Sequence, residues 1–121
     1  MQQTILVTGS NGLLGQKLVS QILSDNIYKL IATARGSNRL PNKEGYIFEP
    51  LDITNELEVM SIITKHKPDY VIHTAAMTNV DQCETEKETC WDQNVNAVKY
   101  LIAACEANNT HLIHLSTDFI F

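Results

Sequence analysis

Three stretches of this 121-residue chain carry residue types and spacings suited to chemistry. The first is Gly9-Ser10-Asn11-Gly12-Leu13-Leu14-Gly15, a glycine at every third position. Gly9 allows a sharp turn without a Cβ clash, and Gly12 lets backbone come close to a ligand. Gly15, without a side chain, lets a following helix press against the strand beneath it. Unpaired N–H groups at a helix start, with the positive end of its dipole, suit a diphosphate. The second stretch is Arg35-Gly36-Ser37-Asn38-Arg39, where a guanidinium beside Ser37 suits a phosphate group. The third is Ser116-Thr117-Asp118, whose hydroxyls suit a polar substrate.

The elements around these stretches place them. Ile5, Leu6 and Val7 do not alternate with polar residues and read as a strand buried on both faces. Leu14, Leu18, Val19, Ile22 and Leu23 form an apolar stripe at helical spacing, predicting a helix over about 13–24 that stops near Asn26. Leu30–Ala34 is a second strand, so strand, helix and strand make a right-handed βαβ unit. This is the context a phosphate-binding glycine turn requires. The spacing differs from the Gly-x-Gly-x-x-Gly of most dinucleotide-binding dehydrogenases.

A dinucleotide fold keeps an acid for the adenosine ribose about 20 residues past its glycines. Here the second strand ends in Ala34 and Arg35, with no Asp or Glu in the turn. An acid would repel a 2′-phosphate, whereas Arg35 with Ser37, and Arg39 as a further candidate, would accept it. The expected cofactor is therefore NADP(H), with NAD(H) as the second choice; a solvated basic turn is the plain alternative.

Tyr46–Glu49 reads as a third strand followed by Leu51-Asp52-Ile53-Thr54. Asp52 is placed either to reach an adenine edge or to cap the next helix. That helix starts at Thr54 or Asn55, with Asn55 and Glu58 at capping-box spacing and Leu57, Val59, Met60 and Ile63 facing inward. Pro68 ends it. Asp69–Ala76 is a fourth strand running into a turn where short Ala75 and Ala76 would let a ribose and phosphate lie against backbone. A polar loop over 78–84 and a helix starting near Thr85 and Glu88 follow. The helix carries Cys90, Val95, Val98, Leu101, Ile102 and Cys105 as its buried stripe, and Asn94 as either a structural amide or a group steadying the site. His111–Leu115 is a fifth strand, its histidines read as packed residues rather than ligands. The fold class predicted is α/β, a Rossmann-like doubly wound parallel sheet of five strands over 1–121.

Hydrophobic residues at 44% and charged residues at 19% fit an ordinary globular domain. A net charge of −5 leaves no electrostatic footprint for nucleic acid or an anionic membrane. No signal peptide or transmembrane helix is expected. Cys83, Cys90 and Cys105 are odd in number and lack paired zinc spacing, so buried thiols in a reducing cytoplasm are expected, with no metal.

Taken together, the chain resembles the extended short-chain dehydrogenases/reductases, and within them the dTDP-4-dehydrorhamnose reductase family. The resemblance rests on residues 7–15, on Leu51-Asp-Ile-Thr54 and on Pro68-Asp-Tyr-Val-Ile-His73. Ala75-Ala-Met-Thr-Asn-Val-Asp81, Asn94-Val-Asn-Ala97 and His114-Leu-Ser-Thr-Asp118-Phe-Ile-Phe121 extend it to the end of the chain. It implies reduction of a 4-keto-6-deoxy nucleotide sugar by NAD(P)H. Thr117 takes the place of the catalytic hydroxyl on the keto oxygen, and Thr78, Val80 and Asp118 fall on the substrate side. Gly9, Asn11, Gly12, Leu13, Leu14, Asp52, Ile53, Ala75 and Ala76 fall on the cofactor side, with Ser10 in the same turn.

The family's Tyr-x-x-x-Lys pair, which protonates the substrate, is not met by Tyr28, Tyr46, Tyr70 or Tyr100. The chain is thus expected to be the N-terminal part of a longer enzyme, catalytically silent alone and compatible with a homo-oligomer. A nucleotide-sugar epimerase or dehydratase, and a non-catalytic regulatory subunit of the same fold, are the competing expectations.

Overall fold

Ile5, Leu6 and Val7 are apolar without alternation, and the strand they form is covered on both faces. The structure, a computed structural model, describes residues 2–40, 44–74 and 95–114. Within these the elements are β1 (Gln3–Thr8), α1 (Leu13–Asp25), β2 (Tyr28–Ala34), β3 (Ile47–Pro50), α2 (Glu56–His66), β4 (Tyr70–His73), α3 (Ala97–Ala107) and β5 (His111–His114). The five strands form one sheet in the order β3-β2-β1-β4-β5, every pairing parallel. This is the predicted Rossmann-like sheet.

Both faces are packed. Ile5 and Val7 join Leu30, Ala32 and the α1 residues Val19 and Ile22 on one side. Leu6, with Ile31 and Val71, meets Val59 and Ile63 of α2 and Leu101, Ala104 and Cys105 of α3 on the other. Each such aliphatic side chain, fully removed from water, contributes roughly 1.5–3 kcal/mol. The chain runs from β1 outward to β2 and β3, then crosses by α2 to β4 on the other side of β1. Such a reversal opens a crevice beyond the carboxyl ends of the strands.

Helix ends follow local chemistry. Asn26 adopts the left-handed conformation that closes α1, its N–H donating to the Ile22 carbonyl at 3.3 Å. Asn55 caps α2 by accepting from the Glu58 N–H at 3.1 Å. The Glu58 carboxylate reaches instead to the Asp52 N–H at 3.4 Å, so the capping box is only half made. Lys67, left-handed at φ 43°, ends the helix one residue before Pro68.

The inward faces are narrower than periodicity suggests. Leu14, Leu57, Met60 and Ile102, expected inside, are 38, 79, 36 and 43% exposed. In α2 the buried residues are Val59 and Ile63, four apart, with partly buried Ile62 packed beside them, and Leu57 is left in solvent. In α3 the small residues Ala97 and Ala104 join Leu101 and Cys105 as the buried stripe, which turns Ile102 outward. Burial raises the Cys105 thiol to about 11. Cys83 and Cys90, like the helix start at Thr85, lie outside the described residues.

Gly15 controls how closely α1 approaches the end of β1. A Cβ there would stand 2.0 Å from the Gly9 carbonyl oxygen and 2.8 Å from the Ser10 Cα, with only backbone to yield. A Cβ on Gly12 would meet the Gly9 oxygen at 3.4 Å, an ordinary contact, and Gly12 already has the extended φ of −77° open to any residue. Gly15→Ala is therefore expected to lower stability by about 2–3 kcal/mol and Gly12→Ala by under about 1 kcal/mol. Urea denaturation midpoints of the two variants check this ordering.

A second prediction comes from the edge strand. The Lys65 ammonium at 2.9 Å, then the His66 imidazole at 2.5 Å, share one Glu49 oxygen and hold its carboxyl below the usual value of 4.5. Because the folded pKa is depressed, this contribution is present above the unfolded value and lost as pH falls through the folded one. Glu49→Gln should cost about 0.5–1 kcal/mol at pH 7, and the difference from the parent should shrink as pH falls below the ordinary carboxyl value of 4.5 and vanish only below the lowered folded value. Denaturant titrations of both proteins across that range measure it.

Candidate functional site

The crevice at the strand ends holds a cavity of about 340 Å³. Its walls come from four places: Gly9, Asn11 and Gly12 after β1, and Thr33, Ala34, Arg35 and Arg39 at the end of β2. Leu51, Asp52, Ile53 and Thr54 follow β3, and Thr74 follows β4.

The glycine turn is built from backbone. Gly9, at φ 68°, takes the left-handed conformation, and its carbonyl accepts the Gly12 N–H at 3.0 Å. Gly12 then starts α1, its carbonyl accepting from the Gln16 N–H at 2.8 Å. No side chain caps this helix start and no acid occupies its first turn, so nothing local neutralises the positive end of the dipole.

Threonines clasp the turn from both neighbouring strands. Thr33 donates to the Val7 carbonyl at 2.9 Å, and its own carbonyl accepts the Ser10 N–H at 3.0 Å. Thr74 donates to the Thr8 carbonyl at 2.5 Å, and its N–H donates to the Thr8 hydroxyl at 3.0 Å. That hydroxyl also hydrogen-bonds the buried His73 Nδ1 at 2.7 Å. Polar side chains buried in parallel strands must find such partners. Thr8, Thr33 and His73, polar residues within apolar runs, are the signal in the sequence for this clasp.

Asn11 ties the turn to the loop after β2. Its amide Nδ2 donates to the Ser37 carbonyl at 2.9 Å, and its Oδ1 accepts the Arg39 N–H at 2.8 Å. Gln16 holds the Asn11 carbonyl at 2.7 Å. The loop is further anchored by buried Leu40 and by Asn38, which donates to the Tyr46 hydroxyl at 2.9 Å.

Asp52 accepts from the Thr54 hydroxyl at 2.6 Å and from its N–H at 3.0 Å. The Thr54 hydroxyl is the largest influence holding this carboxyl below its usual value, with the Arg35 charge adding to it against a desolvation penalty. Capping of α2 falls to Asn55, leaving Asp52 as an ionised group on the cavity wall.

Of the residues the sequence singled out, the fold gathers Gly9, Asn11, Gly12, Arg35, Asp52 and Ile53 around one cavity. Ser37 is exposed and off the cavity wall, its carbonyl held by Asn11. Ser10 lies behind the turn, fully buried, its N–H used by Thr33 and its hydroxyl without a partner among the described residues. Leu13 and Leu14 are exposed at the start of α1, off the cavity wall. Ala75, Ala76, Thr78, Val80, Asn94, Thr117 and Asp118 lie outside the described residues. Arg39 and Thr74 are wall residues to which the sequence reading gave little weight or none.

Comparison with known proteins gives this geometry a family. Residues 3–121 match the family model described as RmlD substrate binding domain. A dTDP-4-dehydrorhamnose reductase of Aggregatibacter actinomycetemcomitans is 36% identical over 117 residues, 97% of this chain and 35% of that protein. One from Streptomyces griseus is 34% identical over 96% of this chain and 34% of its own length. The chain thus spans about a third of the length of the curated relatives it matches. Among solved structures, the dTDP-4-dehydrorhamnose reductase of Bacillus anthracis in complex with NADP superposes with a TM-score of 0.75 at 28% identity, covering all of this chain and 38% of that one. With residues 3–121 matched by that family model, the chain belongs to the RmlD substrate binding domain family.

Proposed function

We propose that residues 1–121 form the NADP(H)-binding part of a reductase of 4-keto-6-deoxy nucleotide sugars. The observation that carries this reading is the cavity itself, where a bare glycine turn, two arginines and an ionised Asp52 share one wall. The protein alone does not require glycine at position 12, since a Cβ there meets nothing closer than 3.4 Å. A ligand lying against the turn does require it, and on this count the residues fit a dinucleotide. The similarity to dTDP-4-dehydrorhamnose reductases, one of them in complex with NADP, supports the same assignment.

Each wall group has a role. The main chain of the turn from Gly9 to Gly12 and the uncapped start of α1 hold the diphosphate, the Asn11 side chain being engaged with the loop after β2. Arg35 pairs with the 2′-phosphate of the adenosine ribose, with Ser37 in the same loop. Asp52 and Ile53 form the floor for the adenine, Asp52 also orienting the Arg35 guanidinium by charge. Ser10 supports the turn from behind, and Leu13 and Leu14 flank the diphosphate. Ala75 and Ala76 leave room for the second ribose. When bound, the cofactor supplies a hydride to the keto carbon. Thr117 donates a hydrogen bond to the keto oxygen, with Thr78, Val80 and Asp118 around the sugar.

Two experiments on the full-length protein test this reading. Arg35→Ala should weaken NADPH binding about tenfold to a hundredfold, as expected for one charge-assisted contact, while NADH changes by under about twofold. Calorimetric titration of both cofactors reads this, and equal losses would remove the 2′-phosphate assignment. Thr117→Val keeps the side chain's shape without its hydroxyl. Turnover of a 4-keto nucleotide sugar should fall about 100- to 1000-fold with stability unchanged. A parental rate would move the role to Ser116.

A further inference from the structure

We propose that Asn11 sets the cofactor preference of this site by latching the arginine-bearing loop to the glycine turn. The proposal rests on the NADP(H) reading above and adds to it a positioning residue. The six residues from Arg35 to Leu40 leave the end of β2 and return to the core at Leu40, which is buried. Between those ends Asn38 holds one point by donating to the Tyr46 hydroxyl at 2.9 Å, whereas Gly36 takes φ 83° with open space where a Cβ would stand. Arg35, Ser37 and Arg39 are all exposed. Such a loop would not by itself hold two guanidinium groups at a fixed spacing.

Asn11 constrains the two positions on either side of Asn38. Both ends of its amide are used on the backbone of this loop, Nδ2 on the Ser37 carbonyl at 2.9 Å and Oδ1 on the Arg39 N–H at 2.8 Å. The side chain therefore bridges the residue between the two arginines and the second arginine itself. Its own backbone is fixed in turn, because Gln16 holds the Asn11 carbonyl and Gly12 begins α1. The donor and acceptor are both required, and only an amide of this length offers both. With the latch closed, Arg35 and Arg39 stand on the wall of the cavity that the glycine turn also lines. A phosphate on the ribose and the diphosphate then meet a single pre-arranged surface, and less ordering is left for binding to accomplish.

The consequence is selective. A cofactor without the 2′-phosphate makes little use of the two arginines and so gains little from the latch. Loss of the amide should weaken NADPH binding and leave NADH nearly alone, which general damage to the glycine turn would not do.

The test uses the full-length protein with parental, Asn11→Ala, Asn11→Ser, Arg35→Ala and Asn11→Ala/Arg35→Ala forms, each titrated with NADPH and with NADH. Ser is too short to span both partners, and it stands in for Ala should that variant fold poorly. Asn11→Ala and Asn11→Ser are each expected to lose about tenfold in NADPH affinity with under about a twofold change for NADH. The double variant should lose much less than the product of the two single losses, because the latch acts through Arg35 and Arg39. Hydrogen exchange of the cofactor-free Asn11 variants should speed up over residues 35–40 and stay parental in β1 and β4. If Arg35→Ala abolishes the preference but the Asn11 variants keep it, the latch is wrong and the NADP(H) reading stands. Equal losses of both cofactors in the Asn11 variants also overturn the latch, placing Asn11 with the diphosphate. If the parental protein itself shows no preference, the NADP(H) reading fails and the latch falls with it.

Discussion

The architecture depends on one close approach, that of the first turn of α1 to the end of β1. A Cβ at Gly15 would lie 2.0 Å from the Gly9 carbonyl oxygen, so helix and turn are in direct backbone contact. That contact brings Val19 and Ile22 onto Ile5, Val7 and Leu30, and it fixes where the start of the helix points. With the helix start fixed, the reversal of strand order around β1 opens the cavity in front of it. Thr33 from β2 and Thr74, just past β4, then hold the turn from either side. The site is therefore a consequence of packing first and of polar groups second.

This order explains what the sequence disclosed. The apolar run 5–7, the glycines at 9, 12 and 15 and the Asn26 and Asn55 caps are local signals, and β1, α1 and α2 formed close to where they predicted. The exposure of Leu57, Met60 and Ile102 was not legible, because periodicity marks an apolar arc but not how much of it a neighbouring sheet will cover. Small residues decided that: Ala97 and Ala104 let α3 sit close on one stripe, and the wider arc remained in solvent.

The candidate site was legible in the same uneven way. Gly9, Gly12, Arg35 and Asp52 could be placed because each sits at the end of a strand, and strand ends converge in a parallel sheet. Asn11 could be named as a member of the turn, but its bonds to Ser37 and Arg39 join residues 26 and 28 positions away and depend on the loop's path. Asp52 has two readings in the sequence, and in the structure the helix cap is made by Asn55. Its ionised carboxyl, held low by Thr54 and aided by Arg35, is then left facing the cavity.

The central claim is that this cavity receives the adenosine half of a dinucleotide carrying a 2′-phosphate. A crystal structure of the full-length protein with NADPH tests it most directly. The diphosphate is expected against Gly9 to Gly12, the 2′-phosphate between the Arg35 and Arg39 side chains, and the adenine over Asp52 and Ile53. A cofactor bound with its diphosphate away from the glycine turn, or with its 2′-phosphate in solvent beyond reach of both arginines, would contradict it.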